Sequence, residues 1–556
     1  MAAHHADDIS ADPRQGVTDE KKVNQHDDDI IAPVQSASVF EDMTVQLETE
    51  SSHVGEYGTK RDLKPRHVSM IAIAGTIGTG LFLGSGASLV RAGPVGFFLG
   101  YTIIGCLVGM MMTVYAPNIG GFIEMGNKYI SPEAGFTMGI NYILQTGLAI
   151  PTEIAAASVM ISYWDHDESH LPAYMAAFLV LTILINLVGV KYFGEVEFVF
   201  ACVKVAMLVG LIIFGLVANL GGIDGVYTGG RYWRTEPFND TYKMLHPVSL
   251  ARFLGFWKVL TQAAFAFGGI EGVSVLAGEA YNPRKTMKSA VKTVFYRIVG
   301  LYVLTVLMIS LNVSQHSPKL LAAVSKGGST AASSPFVVIC QQTGVNVLPS
   351  VINAVVMTSA LSSCNENTFA VSRTLLALAR QDSMPKVFLN TSRLGTPYWG
   401  VFVSFCFGLL CFLSVSSGSG QVFLWLSNLS ALSSLIAWIS ICLCYVRFHK
   451  SLALQGISRD DLDLKSWFQP YMAWTCIFMF TVVLFFNGFE AFIHKFSVSD
   501  FFASYVTLPV VLLAFFGFRM YSWRAGRPVG FTNLKAVNLS NGPARALRGT
   551  KYDLGS

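Results

Sequence analysis

Charged side chains are scarce in this sequence of 556 residues. Asp, Glu, Lys and Arg together make up 13% of it, whereas soluble domains have roughly 25%. Hydrophobic residues make up 52%, and the mean hydropathy is +0.49. This composition excludes a large soluble enzyme and indicates a chain that crosses a membrane several times. The net charge of +4 is small, and no dense basic run indicates nucleic-acid binding.

Several kinds of functional motif are also missing. The nine cysteines have neither metal-ligand spacing nor an extracellular pairing pattern, and nearly all lie in apolar runs. We therefore interpret them as small buried hydrophobic residues. No Walker motif is present, which argues against a primary pump, and no zinc-ligand spacing is found. The sequence thus predicts no enzymatic activity, no cofactor and no bound metal.

Long apolar runs fill the sequence from residue 68 onwards. A membrane-spanning helix needs about 20 mostly apolar residues. This criterion predicts twelve spans, at 68–90, 95–114, 134–162, 171–190, 196–218, 250–280, 294–313, 347–379, 398–417, 421–446, 470–489 and 501–520. The predicted fold class is therefore an all-α polytopic membrane protein with 12 transmembrane helices.

The loops between the predicted spans differ in charge, and this difference predicts the orientation in the membrane. Loops after spans 6, 8, 10 and 12 are basic, whereas those after spans 3 and 9 are acidic or neutral. Both termini are therefore expected in the cytoplasm, with an extracellular loop at 219–249. Residues 1–67 are polar and acidic, which predicts a largely disordered N-terminal tail, and residues 521–556 form the predicted C-terminal tail.

Two glycosylation sequons fall on the predicted outer side. They are Asn239-Asp-Thr241 and Asn312-Val-Ser314. We expect glycans on Asn239 and Asn312 for this reason.

Two of the predicted spans carry glycine-rich interruptions at corresponding places. The first reads Gly75-Thr-Ile-Gly-Thr-Gly80 in span 1, and the second reads Phe267-Gly-Gly-Ile-Glu271 in span 6. Backbone that is not helical is tolerated inside a membrane only where it lines a cavity or is buried in protein. Paired interrupted helices in two halves of a chain indicate the binding site of a secondary transporter. For span 1 alone, close helix packing through small residues is the alternative.

The two interruptions predict a ligand with an amino acid backbone. A helix that restarts within the membrane exposes free N–H groups, which favour a carboxylate. Open carbonyls at the second interruption suit an ammonium group, and the nearby phenylalanines either wall the pocket or pack in the core. The candidate substrate-binding residues here are Thr76, Gly78, Thr79, Gly80, Phe265, Phe267, Gly268 and Gly269.

Charged residues inside the predicted spans are functional-site hypotheses by default. Glu153 lies in span 3, Lys204 in span 5, Glu271 at the span 6 interruption and Glu366 in the polar centre of span 8. A carboxyl group removed from water favours its protonated form and can carry a proton. Glu153, Lys204 and Glu271 are therefore candidate coupling residues. The alternatives are that Lys204 extends to the membrane surface and that Glu366 faces a polar cavity without a role.

Several motifs in order along residues 60–535 resemble those of the fungal amino acid permeases, the YAT group of the amino acid–polyamine–organocation superfamily. They include Ile77-Gly-Thr-Gly-Leu-Phe82, Pro151-Thr-Glu153, Gly194-Glu-Val-Glu-Phe198 and Trp425-Leu-Ser-Asn428. The resemblance implies a LeuT-type fold, with a 5+5 inverted repeat at 68–218 and 250–446 and helices 11 and 12 at 470–520. It implies proton-coupled amino acid import across the plasma membrane, with the amino acid, H+ and membrane lipid as partners.

The resemblance also implies roles for individual residues. The backbone from Gly78 to Gly80 holds the substrate carboxylate, and the stretch from Phe267 to Gly269 receives the amino group. Glu153 takes part in proton coupling or binding, and Lys204 stands where related carriers bind sodium. Ser430 belongs to the part of span 10 that contributes to side-chain selection.

The chain departs from the family pattern at Met110, Met111, Lys288 and Glu366. These departures leave two alternatives open: a specialised permease for one unusual amino or imino acid, in the plasma membrane or an internal membrane, and an amino acid sensor with a transporter fold. Neither an acidic ring nor an extra arginine marks the side-chain pocket, so neutral or cyclic amino acids are mildly preferred as substrates.

Overall fold

A computed structural model describes residues 70, 77–115, 121–272, 300–325, 334–459, 468–493, 495–537 and 539. Within these residues the regular elements are all helices. The principal ones are α1 (Thr79–Phe82), α2 (Gly84–Tyr115), α3 (Pro132–Ile161), α4 (Leu171–Leu187), α5 (Val190–Asn219), α6 (Val248–Ala266), α7 (Gly300–Asn312), α8 (Leu348–Arg380), α9 (Tyr398–Gly408), α10 (Ser419–Leu454), α11 (Tyr471–Phe485) and α12 (Thr507–Arg524). Shorter helices lie between them at Phe122–Met125, Arg231–Thr235, Pro318–Ser325, Pro335–Gln342 and Val498–Tyr505.

The all-α membrane architecture is confirmed, but the count of twelve spans is not reached in the described residues. Length and apolar composition identify eight spanning helices there, or nine if Val498–Tyr505 and Thr507–Arg524 form one bent span. One reason is that Gly84–Val114 counts as one span, although non-helical backbone at Gly93 (φ +76°), ahead of Pro94, separates the end of predicted span 1 from span 2. Another is that α8, at 33 residues, has a polar centre that lowers its hydropathy. The predicted N-terminal tail at 1–67 lies outside the described residues.

Helix α3 is the central helix of the described bundle. In its most apolar stretch 89% of the residues are buried inside the protein, against 22% for the span that contains α4 and 28% for α5. Helices α8 and α10 pack along α3. Side chains join them to it: the amide of Asn141 donates to the carbonyl of Ser433 at 2.8 Å, and the thiol of Cys364 donates to the carbonyl of Ile150 at 3.3 Å. Helices α4 and α5 carry large exposed apolar residues, as lipid-facing helices do.

The start and the middle of α3 follow from its sequence. The hydroxyl of Ser131 caps the helix by accepting a hydrogen bond from the N–H of Ala134 at 3.2 Å, and Pro132 occupies the first turn. Pro151 lies inside the helix and cannot donate a backbone hydrogen bond. The helix is therefore locally weakened two residues before Glu153, close to the functional residues described below.

Residues 527–537, which follow α12, form an ordered segment that we call the C-terminal strap. It was predicted as part of a tail, but it is bound at one end of the helical bundle. Backbone groups of the strap at Gly530, Thr532, Leu534 and Val537 form hydrogen bonds with Glu133, Ile130, Ser451 and Gln455. The strap thereby links the first turn of α3 to the last turns of α10.

Candidate functional site

The first interruption lies at Gly78, just before α1. The Gly78 backbone is extended (φ −100°, ψ −166°), and helical conformation resumes at Thr79. The N–H of Thr79 is 3.3 and 3.4 Å from the two carboxylate oxygens of Glu153 on α3. The hydroxyl of Ser363 on α8 also donates to Glu153, at 3.3 Å. The buried carboxylate of Glu153 therefore accepts the hydrogen bond of the Thr79 N–H, where the sequence predicts that a ligand carboxylate binds.

Gly78 is required by the position of Glu153. A Cβ atom on residue 78 would lie 2.5 Å from Oε1 of Glu153. A Cβ on Gly80 would lie 2.9 Å from Cδ1 of Phe265 and 3.1 Å from Cα of Ala266. Both glycines therefore permit close approach, one to a carboxylate and the other to the end of α6.

The second interruption follows α6, which ends at Ala266. Gly269 has φ +90°, a conformation that favours glycine, and a single 3₁₀ turn covers Ile270–Gly272. A Cβ on Gly268 would lie 3.0 Å from Oγ of Ser434 on α10. Helix α6 thus ends where the sequence predicts the interruption, next to α10.

Both interruptions line one cavity of about 50 Å³. The cavity lies between the glycines and the central helices α3, α8 and α10. Its lining residues are Gly78, Gly80, Tyr142, Gln145, Thr146, Ala149, Glu153, Phe265, Ala266, Gly268, Gly269, Gly272, Ser363, Glu366, Asn367, Phe369, Ala370 and Ser430. The volume is well below the roughly 300–1,000 Å³ of a typical ligand pocket and has room for a few water molecules.

The two phenylalanines of the second interruption face different ways. Phe265 lines the cavity, and its ring centroid is 6.0 Å from that of Phe423 on α10. Phe267 is fully buried away from the cavity, with its ring centroid 4.8 Å from that of Tyr302 and 6.5 Å from that of Tyr101. Its ring packs between α7, α2 and the second interruption, so of these two phenylalanines Phe265 lines the cavity and Phe267 packs in the core.

A buried charged group lies beside the cavity. Lys204 on α5 is 1% exposed, and its charge interacts with those of Glu197, Glu366 and Glu153. Lys204 therefore does not extend to the membrane surface. Buried charges are stable when they are paired and hydrogen-bonded, and three carboxyl groups interact electrostatically with this one amine.

Glu197 is a member of this group that the sequence reasoning did not select. It is fully buried on α5, and its carboxylate accepts hydrogen bonds from the hydroxyl of Ser362 at 2.5 Å and from the amide of Asn365 at 2.6 Å. Both donors belong to the polar centre of α8. The signal was present in the sequence, because Glu197 precedes Lys204 by seven residues and so shares its helix face.

Glu271 holds the second interruption to the central helices. Its carboxylate accepts hydrogen bonds from the amide of Gln145 on α3 and, at 3.0 Å, from the indole N–H of Trp438 on α10. Glu271 is fully buried and does not line the cavity. Ser430 lines the cavity, but its hydroxyl donates to the carbonyl of Gln145 at 3.0 Å.

The remaining predicted site residues lie elsewhere. Thr76 falls outside the described residues. The amide of Asn239 donates to the carbonyl of Val90 at 2.7 Å. Asn312 is 6% exposed, and its amide donates to the carbonyls of Gly215 and Met308. A buried and bonded amide does not suit glycan attachment, so the structure does not favour a glycan at Asn312.

The sequence from residue 67 to residue 528 matches the family model of amino acid permeases. The chain belongs to the amino acid permease family. It is therefore an integral membrane protein of a transporter family, and not an enzyme. The general amino-acid permease of Saccharomyces cerevisiae is 38% identical over 481 residues, which cover 84% of this chain and 78% of that protein.

Other permeases are similar to the same degree. The lysine-specific permease of Saccharomyces cerevisiae is 37% identical over 489 residues, covering 87% of this chain and 79% of that protein. The proline-specific permease of Emericella nidulans is 35% identical over 473 residues, covering 83% of this chain and 85% of that protein. Because relatives with different named specificities are about equally similar, the degree of identity does not identify the substrate of this permease.

The fold is shared with a solved transporter. A crystal structure of a manganese transporter of Eremococcus coleocola superposes with a TM-score of 0.51 at 11% identity, over 83% of this chain and 94% of that one. The LeuT-type fold is thereby confirmed for this permease.

Proposed function

We propose that this permease is a secondary transporter that imports amino acids across the plasma membrane together with protons. The termini face the cytoplasm, residues 68–218 and 250–446 form the two five-helix repeats, and residues 470–520 form helices 11 and 12. The observation that carries the proposal is that both glycine interruptions line one cavity together with Glu153.

The cavity offers complementary groups to the two ends of an amino acid. Free N–H groups at the start of a helix favour a carboxylate, and Gly78, Thr79 and Gly80 provide such a start. The interruption from Phe267 to Gly269 provides backbone carbonyls for the ammonium group. Because an amino acid carries both charges on one carbon atom, two such interruptions at one cavity suit its backbone.

Glu153 supplies a physical reason for proton coupling. Its carboxylate accepts the N–H of Thr79 in the described structure, so a substrate carboxylate has to replace it there. Two negative carboxylates do not share one amide at a buried site, because their repulsion is weakly screened there. Protonation of Glu153 removes this repulsion and frees the amide, so each substrate bound brings in one proton.

The charged group around Lys204 completes the proposed cycle. When Glu153 is protonated, Lys204 keeps Glu197 and Glu366 as its charge partners. The charge of the buried Lys204 amine is therefore still balanced by carboxyl groups while Glu153 carries the proton. The small volume of the cavity means that the lining must move to admit a substrate, as expected of alternating access by rocking of one helix group against the other.

Uptake by yeast cells that lack their own amino acid permeases tests this function. Cells that produce the permease are expected to accumulate labelled amino acids above the external concentration and to lose this accumulation when a proton uncoupler is added. The matched control is the same strain with the empty vector. Accumulation that persists after collapse of the proton gradient would contradict the coupling, and an amino acid-dependent signal without any uptake would identify a sensor.

A further inference from the structure

We infer that Glu366 selects amino acids with a cationic side chain, such as lysine, arginine and ornithine. The inference rests on the proposed function, since it concerns the side-chain end of the same cavity. It is based on acceptor atoms of the cavity lining that receive no hydrogen bond from a described residue.

The hydroxyl and amide donors of four side chains on α3, α8 and α10 that line the cavity already donate within the protein. The hydroxyl of Thr146 donates to the carbonyl of Tyr142 at 2.7 Å, and the amide of Asn367 donates to the carbonyl of Ser363 at 2.8 Å. The hydroxyls of Ser363 and Ser430 likewise donate to Glu153 and to the carbonyl of Gln145. A substrate side chain that needs donors finds none free among these four.

Two acceptors, in contrast, are buried without a hydrogen bond from any described residue. They are Oε2 of Glu366 and Oε1 of Gln145, and both residues line the cavity. Glu271 sets the orientation of the Gln145 side chain by accepting a hydrogen bond from its NH₂ group. The amide oxygen of Gln145 therefore points away from Glu271. A buried acceptor without a donor destabilises the site, so a ligand that brings donors is favoured here.

Charge favours the same ligand. The buried amine of Lys204 interacts electrostatically with the carboxyl groups of Glu153, Glu197 and Glu366, so three carboxyl groups share this amine as a charge partner. Glu197 is already hydrogen-bonded by Ser362 and Asn365, and Glu153 by Thr79 and Ser363. Glu366 is thus the carboxyl group of the three with an oxygen left for a ligand.

The spacing along α8 separates the two ends of the substrate. Ser363 binds Glu153 at the carboxylate end, and Glu366 follows three residues later, which is about 4.5 Å along a helix axis. A substrate held by its backbone at Gly78 and Thr79 therefore has Glu366 within reach of its side chain in the same cavity. An ammonium or guanidinium group there donates hydrogen bonds to Glu366 and favours its ionised form, whereas an acidic side chain supplies no positive charge.

Uptake kinetics for labelled lysine and labelled leucine test the inference in cells that produce the wild-type permease or Glu366→Gln. We expect the wild-type permease to transport lysine more efficiently than leucine. In Glu366→Gln, the lysine-to-leucine ratio of transport efficiency is expected to fall roughly 10- to 150-fold, as for loss of a charge-assisted hydrogen bond. Glu366→Asp is expected to retain part of the preference.

The ratio separates selectivity from damage to the fold, because a structural defect lowers uptake of both amino acids equally. A wild-type preference for leucine over lysine would overturn the inference and leave the proposed function standing. A lysine-to-leucine ratio that is the same in Glu366→Gln as in the wild type would also overturn the inference and leave the proposed function standing. If Glu366→Gln does not reach the membrane, inhibition of wild-type uptake by unlabelled arginine, leucine and glutamate decides the matter, with arginine expected to inhibit most and any other order counting against it. Absence of uptake for every amino acid would instead refute the proposed function.

Discussion

Gly78→Ala is expected to weaken amino acid binding, and with it uptake, by roughly 10- to 150-fold while the protein still folds. The added Cβ would lie 2.5 Å from Oε1 of Glu153 and 3.4 Å from Oγ of Ser363. The Gly78 backbone has φ −100°, which alanine adopts without strain. The carboxylate of Glu153 can therefore move aside, but only by leaving the N–H of Thr79 and crowding the position of the substrate carboxylate.

The measurement is uptake of a labelled amino acid, normalised to the amount of fluorescently tagged permease in the membrane. Loss of a hydrogen bond to a charged group costs about 1.5–3 kcal/mol, or roughly 10- to 150-fold in affinity. Gly210→Ala is the matched control, because a Cβ on Gly210 in α5 meets no atom within 4 Å. Full uptake by Gly78→Ala would show that this backbone does not approach a ligand.

Glu153→Gln is expected to eliminate accumulation against a concentration gradient while exchange across the membrane continues. Glutamine can still accept the N–H of Thr79, and its amide can donate to the hydroxyl oxygen of Ser363, so the local contacts are retained. It cannot gain and lose a proton, however, and so cannot link uptake to the proton gradient. Proteoliposomes with an imposed pH gradient, compared with counterflow of labelled substrate, measure the two activities separately.

The control for this variant lies on the same helix. Glu133 in α3 is 1% exposed, close to the 3% of Glu153, and its carboxylate accepts the N–H of Gly530 in the C-terminal strap, far along α3 from the cavity. Glu133→Gln makes the same chemical change and is expected to retain accumulation driven by the pH gradient. Glu153→Gln that still accumulates substrate with this gradient would exclude Glu153 as the proton carrier.

The glycine interruptions were predictable because glycine-rich backbone has few uses inside a membrane. The break after Ala266 and the restart at Thr79 lie where the sequence places them. The direction of the Phe267 ring was not predictable, because it depends on Tyr101 and Tyr302, which are distant in the sequence. A residue beside a break faces the cavity or the neighbouring helices according to packing that no local pattern specifies.

The spans show how far apolar runs predict the helices. The criterion of about 20 apolar residues separated span 1 from span 2 at Arg91 to Pro94, and the backbone is non-helical there, at Gly93, between the two helical parts of α2. Span 8, predicted at 347–379, corresponds to α8, although Ser362, Asn365 and Glu366 at its centre lower its hydropathy below that of the eight spanning helices. These polar residues are hydrogen-bonded partners of Glu197 or line the cavity, so the site itself weakens the apolar signal.

The C-terminal strap could not be predicted from its composition. It has no helical or strand periodicity, and it is held mainly through its own backbone groups at Gly530, Thr532 and Leu534. Such contacts depend on donors and acceptors presented by Glu133 and Ser451 on other helices, which lie far from the strap in the sequence. Hydrogen bonds made by backbone groups do not depend on side-chain identity, so they leave no pattern in the sequence of the strap.

The claim that the two interruptions bind the backbone of an amino acid is tested most directly by competition with blocked analogues. Uptake of a labelled amino acid is measured in the presence of its unlabelled free form, its carboxyl-amidated form and its N-acetylated form, each over the same concentration range. We expect the free form to inhibit and both blocked forms to fail. The amidated form lacks the carboxylate that binds at Gly78 to Gly80, and the N-acetylated form lacks the ammonium that binds at Phe267 to Gly269. Equal inhibition by all three would contradict the assignment of this site.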